Sequence, residues 1–163
     1  MTEVPVAPRR SRLDVRLPQN VPAHDFRHPV EADLPALGQL MWEAYRGTPD
    51  EEDAGGSVAA ATEEIRLAFT GAYGPFLPAA SFVAEDGGRP VAAALVTVWK
   101  DVPLLAFVFT APSHTGRGLG RRLVEAAMHA LGAQGHGLLS LAVTEENVRA
   151  RRLYESMGFT PHR

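Results

Sequence analysis

The chain has 163 residues, 45% of them hydrophobic and 21% charged, with a net charge of -3. That composition suits one soluble globular domain and excludes a disordered or fibrous chain, while the near-neutral charge gives no general attraction to nucleic acid or to an anionic membrane. There is no cysteine, which removes disulfides, thiol nucleophiles and thiolate metal sites, and there is no apolar run long enough to span a membrane or form a signal peptide core. The expected setting is the cytoplasm. Of the sixteen basic residues fifteen are arginine, which reads as the coding bias of a GC-rich bacterial genome.

Residues 1–22 carry Pro5, Pro8, Pro18 and Pro22 with few large apolar groups, and are expected to form a flexible arm ahead of a single domain over 23–163. Within the arm Leu13, Val15 and Leu17 alternate, so a short edge strand is the lesser alternative. Beyond Pro29 the stripe Leu34, Leu37, Leu40, Met41 and Ala44 predicts a helix with acids at its start, ended by Gly47. A polar, acidic loop follows, containing Asp50, Glu51, Glu52 and Asp53, and then a second helix over 58–69. Three strands are predicted at 81–84, 90–99 and 104–110, separated by Asp86-Gly87-Gly88 and Asp101-Val102-Pro103, and a meander is their simplest pairing. After Pro112 the repeat Leu119, Leu123, Ala126, Ala127 and Ala130 predicts the central helix. The apolar run 138–143 reads as a strand covered on both faces, and 146–157 as a last helix stopped by Gly158.

Two segments carry chemistry. The first is Thr110-Ala111-Pro112-Ser113-His114-Thr115-Gly116-Arg117-Gly118-Leu119-Gly120-Arg121-Arg122, a strand running through a glycine-rich turn into a helix. Glycines allow close approach of backbone to an anion, and the free N–H groups of a helix start point at it, so the turn suits a pyrophosphate. The same turn also serves as a tight connection with close helix packing. No lysine with Ser or Thr follows the glycines, as a nucleotide P-loop requires, and the turn lies far from the first strand, where a Rossmann site belongs. The second segment holds Asn147 and Tyr154, two helical turns apart and therefore on one side of the last helix. Taken singly, Asn147 reads as a helix cap and Tyr154 as a packing aromatic.

Together the two segments resemble the GNAT superfamily of N-acetyltransferases, closely over 104–159 and in outline before that. The resemblance implies an α/β (α+β) fold with a mixed, mostly antiparallel sheet flanked by helices. It implies acetyl-CoA as co-substrate, an amine of unknown identity as acceptor, direct attack in a ternary complex, and no metal. Val108, Phe109 and Thr110 inherit contacts to the pantetheine arm. Thr115, Gly116, Arg117, Gly118, Leu119, Gly120 and Arg121 inherit the pyrophosphate, and Asn147 the cofactor arm. Tyr154 inherits a place near the thioester sulfur as general acid, with a backbone N–H around Phe109 facing the developing oxyanion. A non-catalytic acyl-CoA-binding or regulatory domain of the same fold is the alternative.

The chain departs from the family pattern in three ways. Thr115 stands where Arg or Gln is usual, leaving Arg117 and Arg121 to supply charge. The strand before the turn reads Leu104, Leu105, Ala106, Phe107 and lacks the usual glutamate, so the base is unassigned among Asp101, Glu145, His114 and Glu43. Only four residues follow Phe159, so the terminal strand hairpin is shortened, and either the chain is truncated or a neighbour, a second subunit of a homodimer, covers the sheet edge. The acceptor pocket is expected around 43–56, where Trp42, Tyr45, Tyr73 and Phe76 are either walls or core.

Overall fold

The structure is a computed structural model that describes residues 9–18 and 24–162. Three apolar runs fold back on one another as an antiparallel meander: β2 (Phe82–Asp86), β3 (Arg89–Trp99) and β4 (Val102–Thr110). Their preceding strand β1 (Arg10–Arg16) lies elsewhere in the same sheet. Both hairpin turns have two residues, and both residues of each carry positive φ, the geometry whose twist matches paired strands. Glycines 87 and 88 adopt it freely. Lys100 and Asp101 adopt it at φ 50° and 65° and bear a small steric cost that the flanking pairing holds in place.

Helix α1 (Leu34–Tyr45) follows the predicted stripe, with Leu37, Leu40 and Met41 buried, and α2 (Val58–Thr70) begins at a Ser57 cap that accepts the Ala60 N–H. The two helices approach so closely at Gly38 that a Cβ there would lie 1.9 Å from Thr62 Oγ1. Helix α3 (Leu119–Ala133) is the central helix. Val91 to Thr97 on β3 are all buried, which requires cover on both faces of the sheet, and α1 and α3 each contact β3 and β4 to supply it. Strand β5 (Leu138–Thr144), helix α4 (Val148–Ser156) and the two-residue β6 (Thr160–Pro161) complete the order β2-β3-β4-β5-β1-β6. None of the described helices is long and apolar enough to cross a membrane.

Two features of the sheet differ from the sequence reading. Residues Arg10–Arg16, expected within a flexible arm, form a strand inserted between β5 and β6, antiparallel to both. Leu13 and Val15 are 5% and 7% exposed. The physical reason is that β5 offers a full edge of unpaired N–H and C=O groups, and the Leu13–Val15 alternation presents one apolar face when it pairs there. The rest of the expected arm, residues 1–8 and 19–22, lies outside the described residues.

The same strand answers the question of the sheet edge. The edge expected to need a second subunit is covered by β1 of the same chain, and β6 pairs in turn with β1 at Leu13 and Asp14. A polar seam fastens this end of the sheet, with Ser140 and His162 both bonded to Asp14 and Arg12 donating to Ser140 at 3.1 Å. Burial alone would raise the Asp14 carboxyl, but the Ser140 and His162 bonds outweigh it and hold it below its usual range. Gly132 of α3 lets the chain leaving β1 pass, since a Cβ there would lie 2.1 Å from the Pro18 carbonyl oxygen.

If β1 is an integral strand, Leu13→Ala removes a buried side chain and costs about 2–5 kcal/mol of stability. Urea unfolding followed by circular dichroism checks this, and a stability change under about 0.5 kcal/mol would mark the segment as a dispensable arm.

Candidate active site

Strands β4 and β5 run parallel but pair only at Leu104–Ser140 and Leu105–Leu141. Immediately afterwards Ala106 is an extra residue in β4, because Leu95 faces Phe107 while its neighbour Val96 faces Leu105. Such a bulge bends and twists its strand. The two strands part there, and a cleft of about 1210 Å³ opens between them.

Backbone alternation decides which β4 groups face that cleft. Ala111 N–H donates to Val91 O at 2.7 Å, which makes the Ala111–Val91 pair hydrogen-bonded. In an antiparallel ladder the hydrogen-bonded pairs recur every second residue. Phe109 therefore turns its N–H and C=O to β3, and Val108 and Thr110 turn theirs to the cleft. Around Phe109, where an oxyanion donor was expected, the backbone N–H that faces the cleft is that of Val108. The Val108 carbonyl already accepts the Tyr45 hydroxyl at 3.0 Å, and Tyr45 stands edge-on to the Phe109 ring.

Beyond Thr110 the chain makes the glycine turn. Gly116 and Gly118 both have φ 77°, and α3 starts directly after Gly118 with no side chain capping it. Its first amides are thus free for an anion. Of the residues inherited from the resemblance, Val108, Phe109, Thr110, Thr115, Gly116, Gly118, Leu119, Gly120, Arg121, Asn147 and Tyr154 all line this one cleft. Arg117 does not, and its guanidinium lies 3.4 Å from the Ser113 carbonyl.

The polar details modify several expectations. The Thr115 hydroxyl donates to the Pro112 carbonyl at 3.2 Å, so its proton is used inside the turn. Arg121 is bonded to Glu125 and to Ser156, each at 3.0 Å. Exposed Arg149, which the sequence reading passed over, lines the cleft and has no ion pair among the described residues. Asn147 does cap α4, accepting the Ala150 N–H at 3.2 Å, and also donates to Asp50 at 2.8 Å, leaving one amide hydrogen free.

Four residues were candidates for the base, and only His114 lines the cleft. It sits in the anion turn, 2.7 Å from Asp86 and 2.7 Å from the Ser113 hydroxyl. Asp101 is in the β3–β4 turn, Glu145 accepts the Ser11 hydroxyl at 3.0 Å, and Glu43 accepts the Gln39 amide at 2.7 Å. The carboxylates that do line the cleft are Asp50, Glu52, Asp53 and Glu64. Among the aromatics, Tyr45 and Tyr73 are walls, whereas Trp42 and Phe76 pack against the core.

At the β3–β4 hairpin end the cleft is lined by Thr97 and Trp99, also missed from the sequence. They pair with Leu104 and Val102, so they lie about 20 Å along β4 from Thr110, where the glycine turn departs. Thr97 is fully buried and its hydroxyl has no partner. A polar residue inside the apolar run 91–99 was the available signal.

All three tyrosines hold their protons more tightly than free phenols. Burial is the main cause for Tyr154, with the negative charge of Asp50 adding to it. Burial also dominates at Tyr45, helped by Tyr154, Asp50 and Asp53. The bond to Glu64 pushes Tyr73 up to about 12.

A row of free amides, an open strand edge and a protonated phenol on one cleft define a protein built for an extended ligand with an anionic head. The Acetyltransferase (GNAT) family matches residues 35–159, and the chain belongs to that family. The mycothiol acetyltransferase of Beutenbergia cavernae is 40% identical over 91 residues, which is 53% of this chain but 30% of that protein. The chain thus spans under a third of that relative's length. The crystal structure of the ribosomal-protein-S18-alanine N-acetyltransferase from Escherichia coli superposes with TM-score 0.68 and 25% identity, over 85% of this chain and 79% of that one. The PaiA N-acetyltransferase of Thermoplasma acidophilum, solved with coenzyme A, shares the fold at TM-score 0.68 and 17% identity, over 83% and 89% of the two chains.

The raised phenols set an alkaline limit on stability. Folded Tyr45 and Tyr154 stay neutral above the ordinary value of about 10, while the unfolded chain ionises there. The stability they contribute is therefore complete below about pH 10 and falls as pH rises through their folded values. A phenolate absorbance titration is expected to show little ionisation of the native protein at pH values where the urea-unfolded chain is fully ionised. Coincident curves would contradict the burial.

Proposed function

We propose that the protein is an acetyl-CoA-dependent N-acetyltransferase that moves the acetyl group directly to a primary amine within a ternary complex. The observation that carries this reading is the continuity of one cleft from the free amides of the glycine turn, past the open edge of β4, to the Tyr154 phenol.

The residues fit such a co-substrate in three places. Amides at the start of α3 meet the pyrophosphate, with the helix dipole and Arg149 adding positive potential. The cleft-facing groups of Val108 and Thr110 are an unpaired strand edge onto which an extended amide-containing arm adds as another strand would. When bound, acetyl-CoA supplies an activated acetyl group as a thioester. The N–H of Val108 is positioned to stabilise negative charge on the thioester oxygen, a preorganised donor that needs no rearrangement during attack.

Tyr154 then protonates the departing sulfur. A phenol of pKa about 10 is a weaker acid than a thiol of about 8.5 in water. In the cleft the same burial that disfavours a phenolate also disfavours a free thiolate, so holding the proton on Tyr154 until the C–S bond breaks is consistent with general-acid catalysis. The relatives' names give acetyl transfer in different settings, mycothiol in one and a ribosomal-protein alanine in another, and do not select among acceptors.

The non-catalytic acyl-CoA-binding reading is favoured by one observation, the apolar stretch Leu104–Phe107 where the family usually carries a glutamate. Four carboxylates from the α1–α2 region line the same cleft and weigh against it.

Tyr154→Phe separates the two readings. The variant is expected to lose about 100-fold or more in amine-dependent thiol release, with acetyl-CoA affinity by calorimetry within about twofold of the parent, since the ring that packs on Phe159 remains. Unchanged turnover would remove Tyr154 from the chemistry, and a parent protein that binds acetyl-CoA but releases thiol with no amine would favour the binding domain.

A further inference from the structure

Asp50 stands apart from the other acids of its loop. Its two carboxylate oxygens are held from two different elements, Oδ1 by the Thr144 hydroxyl of β5 at 2.9 Å and Oδ2 by the Asn147 amide ahead of α4 at 2.8 Å. The sequence reading saw only an acidic run. In the structure one member of that run lines the cleft and is fixed to β5 and to the cap of α4, the helix that bears Tyr154.

The other carboxylates of the cleft are differently engaged. Asp53 is paired with Arg10, Glu64 accepts the Tyr73 hydroxyl, and Glu52 is exposed. Each Asp50 oxygen accepts a single bond and keeps a lone pair for a further donor. The titratable and charged groups that line the cleft with it are Tyr45 from α1, Tyr154 and Arg149 from α4, Glu52 and Asp53 from its own loop, Glu64 from α2 and Tyr73 just beyond it, Arg10 from β1 and His114 from the glycine turn. Asn147, which donates to Asp50, caps the helix that carries Tyr154, and the negative charge of Asp50 helps to raise both Tyr45 and Tyr154.

We propose that Asp50 receives the acceptor as an ammonium ion and takes its proton before attack, filling the role that no β4 carboxylate supplies. This rests on the acetyl-transfer reading above. The step balances as follows: the ammonium gives one proton to the Asp50 carboxylate, and the freed nitrogen lone pair forms the C–N bond at the thioester carbonyl. The C–S bond breaks with its electron pair on sulfur, which takes the Tyr154 proton. The second proton leaving nitrogen restores the phenol, and the first is released from Asp50 to solvent, so one proton is liberated for each amide formed. Asp50 and Tyr154 thus work as a base and an acid in one cleft. The ammonium form of a primary amine is the species such a site selects, because its N–H groups match the open lone pairs and its charge matches the carboxylate.

The test uses the full chain and the Asp50→Asn variant, with Thr144→Val and Glu51→Gln beside it. The probes are acetyl-CoA and three amines, an alanine-terminated peptide, glucosamine and spermidine, taking whichever the parent turns over best. Asp50→Asn is expected to lower kcat/KM for the amine by about 100-fold near neutral pH, with the deficit shrinking as pH approaches the amine's own pKa and free base becomes abundant. Acetyl-CoA affinity stays within about twofold, as does the activity of Glu51→Gln, an exposed acid of the same loop that does not line the cleft. Thr144→Val keeps the carboxylate but removes one anchor, and is expected to show a smaller loss with the parent pH profile. Without any acetyl-CoA, a phenolate titration of Asp50→Asn is expected to shift to lower pH as the negative charge beside the phenols disappears.

A pH-independent loss of activity would make Asp50 a structural tie and overturn the assignment, and so would parent-like turnover at neutral pH or an unshifted phenolate titration. Failure of the parent itself to bind acetyl-CoA, or to release thiol with any of the three amines, would instead sink the acetyl-transfer reading and with it the assignment that rests on it.

Discussion

The parting of β4 from β5 is the constraint on which the rest of this protein depends. Two parallel strands that stayed in register would satisfy each other's backbone and leave no room for a ligand. Here they pair at Leu104–Ser140 and Leu105–Leu141 and then separate at the Ala106 bulge. Separation leaves polar backbone groups without a strand partner, a cost that must be met by water, side chains or ligand. The Tyr45 hydroxyl meets part of it at Val108. The remaining open edge, aimed along the cleft toward the glycine turn, is what gives an extended ligand a reason to bind there.

Holding such a wedge open requires rigid strands on both sides. On one side β4 is backed by the fully buried centre of β3, with helices over both faces. On the other side β5 has only one remaining edge, and β1 fills it from Arg10–Thr144 to Arg16–Leu138. The N-terminal strand is therefore part of the site's support as well as part of the sheet. It also delivers Arg10 to the cleft, where the guanidinium pairs with Asp53.

The electrostatics of the cleft divide along its length. The glycine turn offers helix-start amides, a positive end suited to an anion. The α1–α2 region contributes Asp50, Glu52, Asp53 and Glu64, a negative flank suited to a cation. The phenols of Tyr45 and Tyr154 sit under the influence of Asp50 and stay neutral. One cavity thus carries carboxylates on one flank and bare helix-start amides at its glycine turn.

By itself the sequence determined the elements and the anion turn. Periodicity placed α1 through α4 and β2 through β5 within a few residues, because each element's pattern is local. The glycines at 116, 118 and 120 pointed to a phosphate turn because positive φ and bare helix-start amides are properties of a short segment. Asn147 and Tyr154 were legible because helical spacing puts them on one side. Tertiary structure decided what depends on distant partners. The alternation at Leu13 and Val15 became a strand only because β5, more than a hundred residues later, presented an empty edge. Which β4 amides face the cleft followed from the ladder with β3, which turns the Val108 backbone, and not that of Phe109, toward it. Asp50 emerged from its acidic run because Thr144 and Asn147 hold it, contacts that no local pattern encodes. Local patterns fix which backbone form a segment takes, whereas the groups that do chemistry are chosen by long-range pairing, which single-sequence periodicity does not contain.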